Sequence, residues 1–234
     1  MATESAAQPG TLPTPVVDQA PAQNLRVTEI FFSLQGETSR VGLPTVFIRL
    51  TGCPLRCGYC DTAYAFHGGN SFSLATIMQK VATYQTRYVT VTGGEPLAQR
   101  PVFMLLRQLA DAGYSVSLET SGALDVSGVD ARVSKIVDLK TPGSGELARN
   151  LWSNLTHITT HDEIKFVLCD EADYDWACQQ LHTHQLVARC PVLFSPVYGK
   201  LAPDTLASWI LRDALPVRLQ VQLHKILWGE TPGR

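Results

Sequence analysis

The sequence predicts an α/β protein, an incomplete TIM-type barrel of six to seven mostly parallel strands. Two observations carry this reading. Short β-branched runs alternate with segments whose apolar residues recur every three or four positions, and polar motifs stand repeatedly at the carboxyl ends of those runs. Strands alternating with crossover helices form right-handed βαβ units, whose carboxyl ends share one face where a site can be built.

Residues 1–23, MATESAAQPGTLPTPVVDQAPAQ, are rich in Pro, Ala, Gln and Thr without a sustained apolar period. They predict a disordered tail ahead of a single domain over 24–234. The residues up to about 45 read as a loop. Strands are then expected at VFIRLTG (46–52), YVTVTGG (88–94), YSVSLET (114–120), KIVDLK (135–140), EIKFVL (163–168), PVLFSPV (191–197) and VRLQVQL (217–223). Helical spacing marks 73–84, 101–112, 144–155, 171–184 and 203–214, several of them opening on Ser, Asp or Pro. The stretch 121–131, SGALDVSGVDA, is too short and Gly-rich for a full helix.

A net charge of −2 leaves no excess of Lys and Arg to track a phosphate backbone, so nucleic acid is not implied as a direct partner. No apolar run reaches the roughly 18–20 residues that span a bilayer, and the start of the chain has no basic, apolar signal pattern. The expected location is the cytoplasm, away from membranes. There the six cysteines should be mainly reduced, and a close cluster is expected to hold metal. Cys169, Cys178 and Cys190 are isolated and read as small buried hydrophobes.

Cys53, Cys57 and Cys60 stand together in TGCPLRCGYCDT. A structural zinc site closes with four ligands, and the partners on offer are poor. HITTH (157–161) has zinc-pair spacing but a β-branched middle in a connection, while His182 and His184 diverge on a predicted helix. Four-cysteine ferredoxin clusters also need one more thiolate. A three-thiolate [4Fe-4S] cluster leaves one iron open to a small chelating ligand. In VTGGEP (91–96), paired glycines permit close backbone approach and Glu95 offers a carboxylate for an ammonium group.

CPLRCGYC together with GGEP resembles the radical S-adenosylmethionine (SAM) enzymes, in which the fourth iron takes the amino and carboxylate groups of SAM. From about residue 28 to 228 the chain resembles the 7-carboxy-7-deazaguanine synthase family, through SLQGE, FIRLTGC, CDTAYAF, VTGGEP, ETSG, DLKTPG, EIKFV, SPV and QLHK in order. The resemblance implies a radical SAM core that converts 6-carboxy-5,6,7,8-tetrahydropterin to 7-carboxy-7-deazaguanine with loss of ammonia, on the route to queuosine. It implies a [4Fe-4S] cluster on Cys53, Cys57 and Cys60, and SAM beside Tyr59, Gly93, Gly94, Glu95, Ser121 and Lys140. Mg²⁺ would lie at Thr62. The pterin would lie along Leu34, Gln35, Gly36 and Glu37, with Arg49, Thr92, Glu119 and His224 as further substrate contacts.

A flavodoxin-like electron donor and a homodimer are the family's expectations. Two features depart from its pattern: DLK (138–140) stands where SPK is usual, and the end ILWGETPGR (226–234) differs from the usual tails. A glycyl-radical-type activating enzyme shares the cysteines but has no need of SLQGE or CDT. A noncatalytic iron or zinc module leaves GGEP and the aligned strand ends unexplained.

Overall fold

The computed structural model describes residues 23–229, 231 and 233, so the expected tail lies outside the described residues except for Gln23. Among the described residues nine strands join in one sheet: β1 (Asn24–Leu34), β2 (Pro44–Leu50), β3 (Asn70–Ser73), β4 (Tyr88–Gly93), β5 (Ser115–Thr120), β6 (Ser134–Leu139), β7 (Glu163–Leu168), β8 (Val192–Pro196) and β9 (Arg218–Leu219). Their order is β3-β1-β2-β4-β5-β6-β7-β8-β9. The seven expected strands, β2 and β4 to β9, lie parallel and in sequence order. β1 and β3 extend the β2 side with antiparallel pairing. The sheet is therefore an open, partial barrel.

Side-chain alternation divides its two faces. Val46, Ile48 and Leu50 of β2, Val89 and Val91 of β4, and Val116 and Leu118 of β5 point outward into a core with Leu105, Leu106 and Leu109 of α2 (Val102–Asp111) and Ile77 of α1 (Leu74–Val81). Val137, Leu139, Ile164, Phe166 and Leu168 continue this face against α3 (Glu171–Thr183) and α4 (Pro203–Arg212). The other face carries Arg49, Thr92, Glu119, Asp138 and Lys165, one or more from each of five adjoining strands. Helices begin where capping chemistry allows: Ser73 Oγ accepts the Thr76 N–H at 3.1 Å, and Asp170 Oδ1 accepts that of Asp173 at 3.0 Å.

Three local expectations change. The loop expected before residue 45 is mostly β1, which pairs Glu29 with Arg49 and Phe31 with Phe47 across β2. The helix expected over 144–155 is two 3₁₀ segments, Leu147–Arg149 and Trp152–His157. Asn150 intervenes by pairing its side-chain amide with both the N–H and the carbonyl of Lys140, each at 2.8 Å, and Asn154 ties to Gly122, Leu124 and Val126. The last strand keeps only Arg218–Leu219. Leu223 N then donates to Gly36 O at 2.9 Å and the chain enters α5 (Leu223–Trp228).

Candidate active site

The carboxyl ends of the parallel strands surround a cavity of about 480 Å³. The loop leaving β2 places Cys53, Cys57 and Cys60 on its wall, all free thiols. Leu55, 1% exposed, anchors the loop from within. Burial pushes the Cys53 and Cys57 thiols up, while the Lys140 ammonium acts in the opposite sense. Among the described residues no three Cys, His, Asp or Glu side chains gather to hold a single metal ion. Three thiols on one wall fit a cluster that takes one thiolate per iron, since such ligands need not converge on one point.

Gly93 and Gly94 serve the protein's own packing. A side chain at Gly93 would come within 2.2 Å of Leu50 O, and one at Gly94 within 2.2 Å of Gly52 O. Gly94 N donates to Leu50 O at 3.1 Å and Glu95 N to Gly52 O at 2.8 Å, so the end of β4 fixes the start of the cysteine loop. Glu95, expected to face an ammonium group, is fully buried and absent from the cavity wall. Its carboxylate instead accepts Leu97 N at 3.0 Å, Thr120 Oγ1 at 2.9 Å, and Ser121 N at 2.7 Å. Ser121 itself lines the cavity.

On the opposite wall, Gln35 Nε2 donates to Glu119 Oε1 at 3.2 Å and to Thr90 Oγ1 at 3.1 Å, and Thr92 Oγ1 donates to Glu119 Oε2 at 3.0 Å. Burial and the charge of Glu37 push the Glu119 carboxyl up. Glu37 behaves oppositely. Burial opposes its charge, but Lys165 at 2.6 Å and the Gln222 amide at 2.9 Å hold its carboxyl below the usual range. Two neighbouring carboxyls thus titrate apart, which is how one site keeps a proton acceptor and a proton donor together.

Lys165 also stands 3.8 Å from Asp138, whose Oδ2 lies 3.1 Å from Lys140. A ladder of alternating charge, Glu37, Lys165, Asp138, Lys140, therefore runs from the Gln35 wall to the cysteine wall. Asp138 Oδ1 and the Tyr59 hydroxyl are buried there without hydrogen-bond partners among the described residues, which marks a polar ligand surface. Arg49, expected to grip a carboxylate, gives Nε to Glu29 at 2.7 Å and keeps its place on the wall. His224 packs on Gly36, where a Cβ would meet Nδ1 at 2.1 Å, and burial lowers its imidazole below the ordinary value.

Thr62 Oγ1 donates to Asp61 Oδ1 at 2.9 Å, leaving its oxygen lone pairs for another group. Burial opposes the charge of Asp61, but Lys225, 3.0 Å away, helps bring its carboxyl down to about 2. All expected site residues except Glu95 share this cavity. Sequence reasoning missed Lys165, Gln222 and Lys225, though alternation in EIKFVL sets Lys165 on the face of Glu163. The HITTH histidines, His157 and His161, are absent from the cavity wall.

Residues 47–142 match a sequence profile of the radical SAM superfamily. The 7-carboxy-7-deazaguanine synthase of Chlorobaculum tepidum is 45% identical over 208 residues, covering 88% of this chain and 94% of that one. That of Koribacter versatilis is 43% identical, over 89% of this chain and 100% of its own. A crystal structure of QueE from Escherichia coli superposes with a TM-score of 0.70 over 86% of this chain and 95% of that one. At 24% identity this is a likeness of fold. The chain belongs to the 7-carboxy-7-deazaguanine synthase family of radical SAM enzymes.

Proposed function

We infer that the protein is a radical SAM carbon–nitrogen lyase that forms 7-carboxy-7-deazaguanine on the route to queuosine. The observation that carries this is the meeting, in one cavity, of three free thiols with a wall of buried amide, hydroxyl and carboxyl groups. In this reading Cys53, Cys57 and Cys60 hold a [4Fe-4S] cluster. Tyr59, Gly93, Gly94, Ser121 and Lys140 line the SAM site, with Glu95 bracing it from behind. Bound there, cluster and SAM supply one-electron chemistry that removes a hydrogen atom from substrate.

The chain's own groups do the rest. The aminopyrimidinone of 6-carboxytetrahydropterin presents donors and acceptors that Gln35, Glu119 and Thr92 can pair. Arg49, its Nε held by Glu29, has its remaining guanidinium donors for the substrate carboxylate, and Thr62 would offer Mg²⁺ a hard oxygen beside it. Loss of ammonia needs a proton delivered to the departing nitrogen, and Glu119 stands on that wall with its carboxyl raised by burial and by the charge of Glu37. The cytoplasm, a flavodoxin-like reductant, a homodimer and a single domain over 24–234 complete the proposal. Among the described residues no helix is long and apolar enough to cross a membrane.

Anaerobic reconstitution, followed by reduction with SAM with and without carboxytetrahydropterin and Mg²⁺, tests it. The expected result is 7-carboxy-7-deazaguanine and ammonia. A protein that assembles no cluster, or a clustered protein that leaves the pterin unchanged, refutes it.

A further inference from the structure

The segment after DLK makes contacts that the chemistry above does not use. Ser144 O accepts the Gly58 N–H at 3.0 Å, and Glu146 Oε1 accepts the Arg56 N–H at 2.5 Å. Arg56 and Gly58 flank Cys57, so the two backbone donors on either side of that thiol are held by one turn. The turn is itself braced. Ser144 Oγ donates to Thr141 O at 2.6 Å, and Glu146 N donates to Ser144 Oγ at 3.0 Å.

Asp173, 1% exposed on α3, secures the same turn. It accepts Thr141 Oγ1 at 2.9 Å, Gly143 N at 2.7 Å and Cys169 N at 2.9 Å. A Cβ at Gly143 would stand 2.5 Å from its Oδ2, so glycine admits the carboxylate. Arg56 adds a contact of its own by laying its guanidinium 4.2 Å from the centre of the Phe66 ring and donating to Cys53 O at 2.8 Å.

We propose that Ser144 and Glu146 form a latch that sets the backbone around Cys57, with Asp173 as its anchor, making TPGSGE a positioning element for the second cluster thiol. The residues act through the loop and touch neither substrate nor reacting atoms. The inference rests on the reading of the cysteines as cluster ligands. Loss of one charge-assisted hydrogen bond from a half-exposed turn should loosen the loop while the outer core, remote from it, keeps the fold.

Full-length Glu146→Ala and Glu146→Gln are compared with the parent protein. Gln keeps an acceptor for Arg56 N and removes the charge, whereas Ala removes both. In the reconstituted protein, iron should pass to a ferrous chelator about tenfold faster from the Ala variant, the size of one such bond, and at nearly the parental rate from Gln. In the metal-free protein, iodoacetamide should alkylate Cys57 several-fold faster in Ala than in Gln, with Cys53 as internal reference. This second arm needs no cluster, so failure of the cysteine reading and failure of the latch are told apart. Equal alkylation and equal iron release in Ala and parent, or a Gln variant as impaired as Ala, would overturn the latch.

Discussion

Replacing Lys165 with Met tests the charge ladder that joins the two walls of the cavity. Lys165 Nζ lies 2.6 Å from Glu37 Oε2 and 3.8 Å from Asp138 Oδ2, and the Lys165 and Glu37 side chains are each only 12% exposed. At an effective dielectric of about 20 the closer contact is worth about 6 kcal/mol, and desolvation of the two ions offsets roughly half of it. Met fills similar volume without charge. It leaves Glu37 with Gln222 as its remaining hydrogen-bond partner among those described. The expected loss is about 3 kcal/mol at pH 8.

The sign of its pH dependence follows from Glu37. In the parent its folded carboxyl lies below the usual 4.5, so its stabilisation is complete above that value and is lost only as acid passes the folded value. Lys165 is raised above its ordinary 10.5, so its own contribution is constant at neutral and mildly acid pH. In the variant burial, the largest influence on Glu37, is opposed only by the weaker Gln222 and His224 contributions and lifts its folded carboxyl above the unfolded one. The deficit then shrinks as pH falls from 8 to 5, because the buried group takes up a proton. Urea midpoints at the two pH values measure this. A deficit below about 1 kcal/mol at pH 8, or one no smaller at pH 5, would refute the pairing.

Gly36→Ala drives a methyl into His224 Nδ1. The imidazole can swing aside, so urea stability should hold while KM for the pterin rises roughly ten- to hundredfold in steady-state assays. Gly94→Ala places its Cβ 2.2 Å from the carbonyl of Gly52, which cannot move freely, whereas Gly58→Ala meets nothing within 4 Å. Thermal unfolding should show about 3 kcal/mol lost for the first and within about 0.5 for the second. Thr62→Ala should keep full cluster absorbance and lose Mg²⁺-dependent turnover, and an unchanged Mg²⁺ titration would remove Thr62 from the metal site.

The parallel strands were legible because they are short, β-branched runs bounded by turn residues, and in β4 and β5 an apolar outer face also alternates with a polar inner one. β1 was not, because the register shifts between Val27 and Glu29 and most of its side chains are only partly covered. VRLQVQL alternates as a strand should, yet the hydrogen bond from Leu223 N to Gly36 O diverts it into α5, a tertiary contact no local pattern contains. That diversion brings Gln222, His224 and Lys225 to the cavity. The strand-end motifs and the family resemblance together named much of the wall and passed over Lys165, which sits in the interior of β7.

Glu95 shows what a motif match leaves open. The sequence presents its carboxylate as a partner for an ammonium group, but the fold commits it to Leu97, Thr120 and Ser121, and commits the glycine backbone to Leu50 and Gly52. The cysteine loop is thus held by the end of β4, by Gly52 N donating to Ala65 O at 2.8 Å, and by the 144–146 turn. Each of these holds backbone, and a metal cluster tolerates little drift in its thiolates. Gly93, Gly94 and Glu95 therefore have a mechanical reason to stand at the end of β4 here, whatever chemistry they also serve. Loss of activity on changing Glu95, even with intact cluster binding, would report the displaced Ser121 backbone as readily as a ligand contact.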